Sequence, residues 1–294
     1  MAGLTNHGEL PVMTAPALAI RPSGTSARQL SAYSALLSSV FGSSKFSPQA
    51  LAWRYRDNPA GAVVGCDAWD GERLAAHYVT CPLEARIDGG LVRGLVSLNT
   101  ATHPDYQGRG LFTQLAQAAY DQGAAAGYDF VIGVANANST PGFLRKLAFQ
   151  DVGRLHAGVL ARLPRRFSEA PVQYQGVWRE ESLAWRLADP EARYVTARRG
   201  DLLGVWARTH LPFVNCGAFL ADVARPQNTM PPLGGTLFIG LEPRMDLGRH
   251  GFLPLPERFR PSPLNLIWRA IGQGAPAALR PDAVAFNFLD FDPY

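Results

Sequence analysis

Apolar residues alternate with polar ones at two different periods along this chain, and the switches between the two periods mark its elements. From Ser26 to Phe41, Leu30, Tyr33, Leu36, Leu37 and Val40 recur at three- and four-residue spacings, which predicts an amphipathic helix. A short apolar run, Ala17 to Arg21, precedes it as an edge strand. Pro48 to Arg56 predicts a second helix, with Pro48 in its first turn and Asn58-Pro59 stopping it. Extended runs follow at Ala62–Trp69 and Arg73–Ile87, joined by Asp70-Gly71 as a β-hairpin. Asp88-Gly89-Gly90 turns the chain again into Leu91–Thr102, so three antiparallel strands come in sequence. A helix over Leu111–Ala126, a strand over Asp129–Ala135, a short helix and a strand over Asp151–Arg162 complete the first half.

The second half carries a faint repeat of the first. Residues 50–59 read ALAWRYRDNP and residues 182–190 read SLAWRLADP. Each is followed by an extended run, a polar turn (Asp70-Gly71-Glu72 or Arg199-Gly200-Asp201) and an apolar run ending in Thr80 or Thr209. This predicts a tandem duplication with a diverged second copy. That copy has no Gly-rich turn ahead of a helix, because Gly234-Gly235 precedes a strand, Thr236–Leu241. Arg244–Pro263 is rich in Pro, Gly and Arg and predicts loop, and Asn265–Ala270 and Val284–Phe291 predict the last strands. The expected organisation is a flexible leader (1–14), a first domain (15–163), a linker (164–176) and a second domain (177–294), in an α/β class with mixed sheets.

Composition narrows the function classes. The chain has 294 residues with 47% hydrophobic content and a formal net charge of +4. The arginines are scattered, so nucleic-acid binding is not expected, while anionic small molecules suit the mild positive charge. Cys66, Cys81 and Cys216 are far apart and form no CxxC pair, which suits reduced, buried thiols in a cytoplasmic protein and neither a disulfide framework nor a metal site. No apolar run reaches the ~18 residues of a membrane span.

The candidate chemistry lies between residues 96 and 149. There a strand enters the turn Gln107-Gly108-Arg109-Gly110, and a helix begins at once with Leu111 and Phe112. Glycines let a ligand approach the backbone, and the first N–H groups of a helix together with its dipole attract phosphate. An ordinary glycine turn joining a strand to a helix is the bland alternative. A Walker A string is absent, and the dinucleotide pattern lacks its third glycine because Thr113 stands there.

With His103-Pro104-Asp105-Tyr106 ahead of it, Gln107-Gly108-Arg109-Gly110-Leu111-Phe112 resembles the signature of the GNAT superfamily of acyl-CoA-dependent N-acyltransferases. A second block fits the same family: Asn136-Ala137-Asn138-Ser139, then Phe143-Leu144-Arg145-Lys146-Leu147-Ala148-Phe149. The resemblance implies acetyl-CoA or a related acyl-CoA as co-substrate, no metal, and direct attack by a primary amine on the thioester. It implies that Thr100, Ala101 and Thr102 line the pantetheine arm and that Gln107 to Phe112 hold the diphosphate. It also implies that Asn138, Ser139 and Phe143 flank the thioester. The positions where many members carry a Tyr acid and a Glu base hold Leu144 and a residue near Val96, so those roles pass elsewhere. Asn99, His77 and Asp290 are the candidates, with Ser97, His103 and Asp292 weighed beside them. Phe286–Asp292 alternates apolar and polar residues as a half-buried strand does, and the resemblance implies that in tandem members the second domain helps build the acceptor pocket and terminal segments can reach it. Trp53 to Gly61 with Gly110-Leu111-Phe112 resembles members that acylate amino sugars, including nucleotide-linked ones. The alternative is an acyl-CoA-binding or sensing protein without catalysis.

Overall fold

A computed structural model describes residues 18–221, 223, 230–257 and 262–291. The expected leader and Asp292 lie outside the described residues. The chain runs β1 (Ala19–Pro22), α1 (Ala27–Phe41), α2 (Pro48–Tyr55), β2 (Val64–Asp70), β3 (Arg73–Ile87), β4 (Gly90–Thr102), α3 (Leu111–Ala125), β5 (Phe130–Ala135), α4 (Thr140–Lys146), β6 (Gln150–Arg154) and β7 (His156–Leu160). It continues with β8 (Tyr174–Gly176), α5 (Glu180–Leu187), β9 (Tyr194–Arg199), β10 (Leu202–Arg208), β11 (Val214–Leu220), β12 (Gly235–Leu241), β13 (Phe252–Pro254), β14 (Asn265–Ala270), β15 (Val284–Asn287) and α6 (Phe288–Phe291). The expected mixed α/β class is what the chain adopts.

Local chemistry explains the starts and stops. Ser26 caps α1 in a reciprocal box with Gln29, and Gly42 ends it in the left-handed conformation. Ser47 caps α2 by accepting from the Ala50 N–H, with Pro48 in the first turn. The hairpins fall at Asp70-Gly71 and Asp88-Gly89 as expected, and Asp88 itself takes a positive φ.

One mixed sheet runs through the molecule in the order β6-β14-β5-β4-β3-β8-β15-β12-β11-β10-β9, with β1 and β2 on a branch beside β3. Helices α1 and α2 cover one face through Leu30, Tyr33, Leu37 and Leu51. Helix α3 covers the other through Leu111, Leu115, Ala119 and Tyr120. Neighbours on β4 divide between the two cores, Leu95 facing α3 and Val96 facing α1, as the two-residue period of a strand requires.

The two halves share an arrangement. Antiparallel β2, β3 and β4 lead to a parallel β5, and antiparallel β9, β10 and β11 lead to a parallel β12. Each half is completed by a strand of the other: β14 lies between β5 and β6, and β7 lies between β12 and β13. The single strand expected over Asp151–Arg162 is therefore two. The break falls at Leu155, whose N–H donates to the Leu264 carbonyl.

Three further expectations are corrected. The stretch 244–263 is not all loop, because β13 pairs with β7 inside it. The strand expected to run to Phe291 ends at Asn287, whose side-chain oxygen accepts from the Leu289 N–H and turns the chain into α6. Residues 174–176 at the end of the expected linker form β8, with Tyr174 fully buried between β3 and β15.

Candidate active site

The site begins with a defect in the sheet. Strands β4 and β5 are parallel partners from Gly94↔Phe130 to Ser97↔Gly133, and their pairing ends there. Just beyond, the β3–β4 register shifts between His77 and Val79. Asn99 stands in this bulge with φ of +51°, a region that asparagine tolerates better than most residues. The bulge bends β4 away from β5 and leaves a slot in the sheet. Thr100, Ala101 and Thr102 form one wall of it, on the last stretch of β4.

At the far end of β4, Pro104–Tyr106 makes one 3-10 turn, and the chain enters α3 through Gly108 (φ +75°) and Gly110 (φ +73°). Both glycines are exposed, and a Cβ on either would meet nothing within 4 Å. The first intrahelical bond runs from the Gln114 N–H to the Gly110 carbonyl, so the N–H groups ahead of Gln114 have no acceptor within the helix. A diphosphate fits this open, N–H-lined turn. Arg109 lies over the Tyr106 ring at 4.9 Å and donates to the Asp105 carbonyl at 3.3 Å. Gln107 reaches back to the Thr102 carbonyl at 3.4 Å and braces the turn on β4. Leu111 is buried against the sheet, and Phe112 turns inward, edge to face with Phe143. Gly142 makes room for it, since a Cβ there would lie 2.8 Å from the Phe112 ring. The bulk of Phe112 thus fills the space between α3 and α4 and leaves the turn open.

Across the slot, α4 starts from a loop organised by Asn136, whose side-chain oxygen accepts from the N–H groups of Asn138 and Ser139 at 3.0 and 2.9 Å. The Asn138 side chain is exposed, and Phe143 is a core residue. The organising residue is Asn136, which sequence reasoning quoted but did not single out. An Asn three residues ahead of the helix N-cap, Ser139, is the signal that could have found it.

On the α1 and α2 side of the sheet lies a cavity of about 310 Å³. Val96 and Leu98 of β4 form its wall beside the slot, and Arg54, Trp178, Trp185 and Asp290 belong to the others. The two Trp residues of the LAWR repeat meet here: Trp53 and Trp185 stack at 4.6 Å between centroids, and the Trp185 Nε1–H donates to the Trp53 carbonyl at 3.2 Å. The repeat's arginines converge as well, on Asp189, with Arg54 at 3.6 Å and Arg186 at 3.3 Å.

Asp290 reaches this cavity from α6. Its Oδ2 accepts from the Asn287 N–H at 2.7 Å. A Cβ on Gly176 would lie 2.5 Å from its Oδ1, so a larger residue there would displace the carboxylate. Burial pushes the Asp290 carboxyl up to about 7, while the Asn287 N–H, Arg186 and the Trp178 indole hold it down. The group therefore changes charge near neutrality.

Asp290 lines this cavity, Asn99 is partly exposed in the bulge of β4 one residue beyond Leu98, and His77 is outside the cavity lining. His77 is fully buried, and both its ring nitrogens are engaged, by Asp67 and Tyr55. Ser97 faces the other core and shares a hydrogen bond with Tyr78. His103 lies at the turn beside Arg73 and accepts from the Asp105 N–H. Leu144 is half-buried on α4. Among the described residues, no group of three or more His, Cys, Asp or Glu could hold a metal ion, and no helix is long and apolar enough to cross a membrane.

Residues 21–151 match the family model of the acetyltransferase (GNAT) domain. No curated protein matches the chain. Among solved structures, a GCN5-related N-acetyltransferase from Kribbella flavida is similar at a TM-score of 0.59 and 12% identity, over 86% of this chain and 71% of that one. A GCN5-related N-acetyltransferase from Anabaena variabilis gives 0.57 and 9%, over 86% and 73%. A candidate acetyltransferase from Pyrococcus horikoshii gives 0.54 and 12% over 95% of this chain and 96% of that one. At these identities the likeness is one of fold.

Proposed function

From the premise that residues 21–151 are an acetyltransferase (GNAT) domain, we propose that the protein transfers an acetyl or other short acyl group from acyl-CoA to the primary amine of a small molecule. The observation that carries this reading is the juxtaposition of an open, N–H-lined turn, a slot between β4 and β5, and a cavity behind the slot that holds a carboxylate titrating near 7. Bound acyl-CoA supplies an acyl group activated as its thioester. Gly108 to Phe112 hold its diphosphate, Thr100 to Thr102 line its pantetheine arm, and the Asn138–Ser139 loop closes the other side.

Asp290 is the base of this reaction. An amine arrives as an ammonium ion and must lose a proton before its nitrogen can attack. The Asp290 carboxylate takes that proton. The nitrogen then bonds to the acyl carbon, the C–S bond breaks, and the second proton shed by the nitrogen passes to the departing thiolate, leaving the amide, the free thiol and one proton on Asp290. The carbonyl oxygen gains charge during attack and is steadied by backbone N–H groups at the bulge in β4.

The walls of the cavity carry both charges, with Glu84, Glu181 and Asp290 set among Arg54, Arg93, Arg179 and Arg186. Trp178 and Trp185 offer ring faces to an acceptor. Aromatic walls with carboxylates also suit an amino sugar, and an amino sugar carried on a nucleotide is the narrower form of this reading. The second half is taken as a diverged copy of the first, with the division at residues 15–163, 164–176 and 177–294 and with β7 and β14 exchanged across it. Buried free thiols at Cys66, Cys81 and Cys216 support a cytoplasmic setting.

Coenzyme A is expected to raise the melting temperature in a concentration-dependent way. Thiol release from acetyl-CoA with glucosamine, spermidine or a lysine peptide tests the transfer. Binding without release from any amine establishes the sensing alternative, which the Leu at position 144 favours because it supplies no acid for the thiolate.

A further inference from the structure

A chain of buried polar groups lies beneath the site and takes no part in the reaction as described. Asp67 on β2 and His77 on β3 face each other across the hairpin, and both are fully buried. His77 Nδ1 is 2.7 Å from Asp67 Oδ1. Tyr33 donates to Asp67 Oδ2 at 2.6 Å and Ser23 to Oδ1 at 2.7 Å. On the other side of the ring, His77 Nε2 is 3.2 Å from the Tyr55 hydroxyl. That hydroxyl accepts from Asn99 Nδ2 at 3.0 Å. The Tyr33 ring stacks on the imidazole, with centroids 4.0 Å apart.

The direction of each bond follows from the inventory of donors. A carboxylate only accepts, so Asp67 takes the Nδ1–H of His77. With its proton on Nδ1, the ring presents a lone pair at Nε2, to which Tyr55 donates. Burial raises the Tyr55 phenol well above its ordinary value, so it keeps the proton it donates. Its oxygen accepts the Asn99 amide N–H, and every proton in the chain points toward Asp67. Asn99 is partly exposed, and with Nδ2 committed inward its outward acceptor is Oδ1. A carboxylate and an imidazole are costly to bury, and apolar side chains would pack this core without that cost. The chain instead ends at the bulge where β4 leaves β5, one residue beyond Leu98 in the cavity wall.

We propose that Asp67, His77 and Tyr55 form a positioning relay that fixes the Asn99 amide with Oδ1 toward the acceptor, where it accepts a hydrogen bond from the attacking amine. That bond aims the nitrogen lone pair at the thioester carbonyl, and the amine's proton still leaves to Asp290. The same anchor holds Asn99 in its left-handed conformation, so one contact sets both the shape of the slot and the pose of the nucleophile. The relay rests on the acyltransferase reading above.

Tyr55→Phe removes a single oxygen and tests it. With acetyl-CoA and whichever of glucosamine, spermidine or a lysine peptide the wild type acetylates, kcat should fall about 10- to 100-fold, as a misplaced reactant does. KM for acetyl-CoA should stay within about two-fold of wild type, because the diphosphate turn is untouched. Asn99→Asp keeps the left-handed backbone but replaces the N–H donor, and should show the same split. In the unliganded protein, the side-chain amide protons of Asn99 should exchange slowly with solvent in the wild type and at least about ten-fold faster in Tyr55→Phe, by nitrogen-edited NMR. Wild-type kcat in Tyr55→Phe, or equal amide exchange in both proteins, overturns the relay and leaves the acyltransferase standing. A wild type that binds no coenzyme A overturns the acyltransferase reading, and with it the relay's action on an amine.

Discussion

Gly110 stands at φ of +73° with open space where a side chain would be, so a substitution there acts on the ligand more than on the packing. Gly110→Asp should keep the fold, since aspartate tolerates this conformation, and should place a carboxylate in the proposed diphosphate site. The expected outcome is loss of the coenzyme A thermal shift with little change in the unliganded melting temperature. Asp290→Asn acts on the proton instead. With its carboxyl raised to about 7, the wild type should gain rate as pH rises through 7, and the variant should lose that inflection along with about 100-fold or more of kcat. The same shift has a sign for stability. Folded Asp290 holds its proton more tightly than the unfolded chain does. Stability from this group is therefore fullest below 3.8 and falls as pH rises toward 7. Comparing the urea midpoints of wild type and Asp290→Asn across that window checks it. At this scale the glycine turn was legible, because glycine and backbone N–H chemistry depend only on neighbours in sequence. Asn99 was legible only as a polar strand residue. Its bulge depends on the register with β3, and its partner Tyr55 is 44 residues away.

Elements were legible wherever one periodicity met one capping signal, as in α1, α2, the β2–β3 hairpin and α3. They were lost where tertiary pairing set the boundary. The run from 151 to 162 has no turn residue at its centre to announce that β6 and β7 belong to different neighbours. The alternation in 284–291 was real, but the Asn287 side chain converted its second half into α6 and carried Asp290 into the cavity. Asp290, expected on a strand, therefore sits on a helix. The LAWR repeat foretold a shared order of elements but not that its two tryptophans would stack. Trp185→Ala removes that stack and part of the cavity wall. It should lower stability by about 2 kcal/mol in a urea titration and raise KM for the amine while leaving KM for acetyl-CoA near its wild-type value.

The whole molecule was least legible, because nothing local tells a strand which half to join. Trp268 of β14 is fully buried and stacks on Phe130 of β5 at 4.6 Å, so the second half supplies core to the first. A chain ending at residue 163 should therefore fail to give the cooperative unfolding transition of the full protein by circular dichroism. Adding residues 164–294 as a separate chain should restore it. That exchange of strands also has a consequence in time. On the ribosome, β6 emerges more than 100 residues before β14, its partner among the described residues. At about 5–20 residues per second, β5 and β6 wait about 6–26 s with open edges. For that interval the first half presents open strand edges with which other chains can pair.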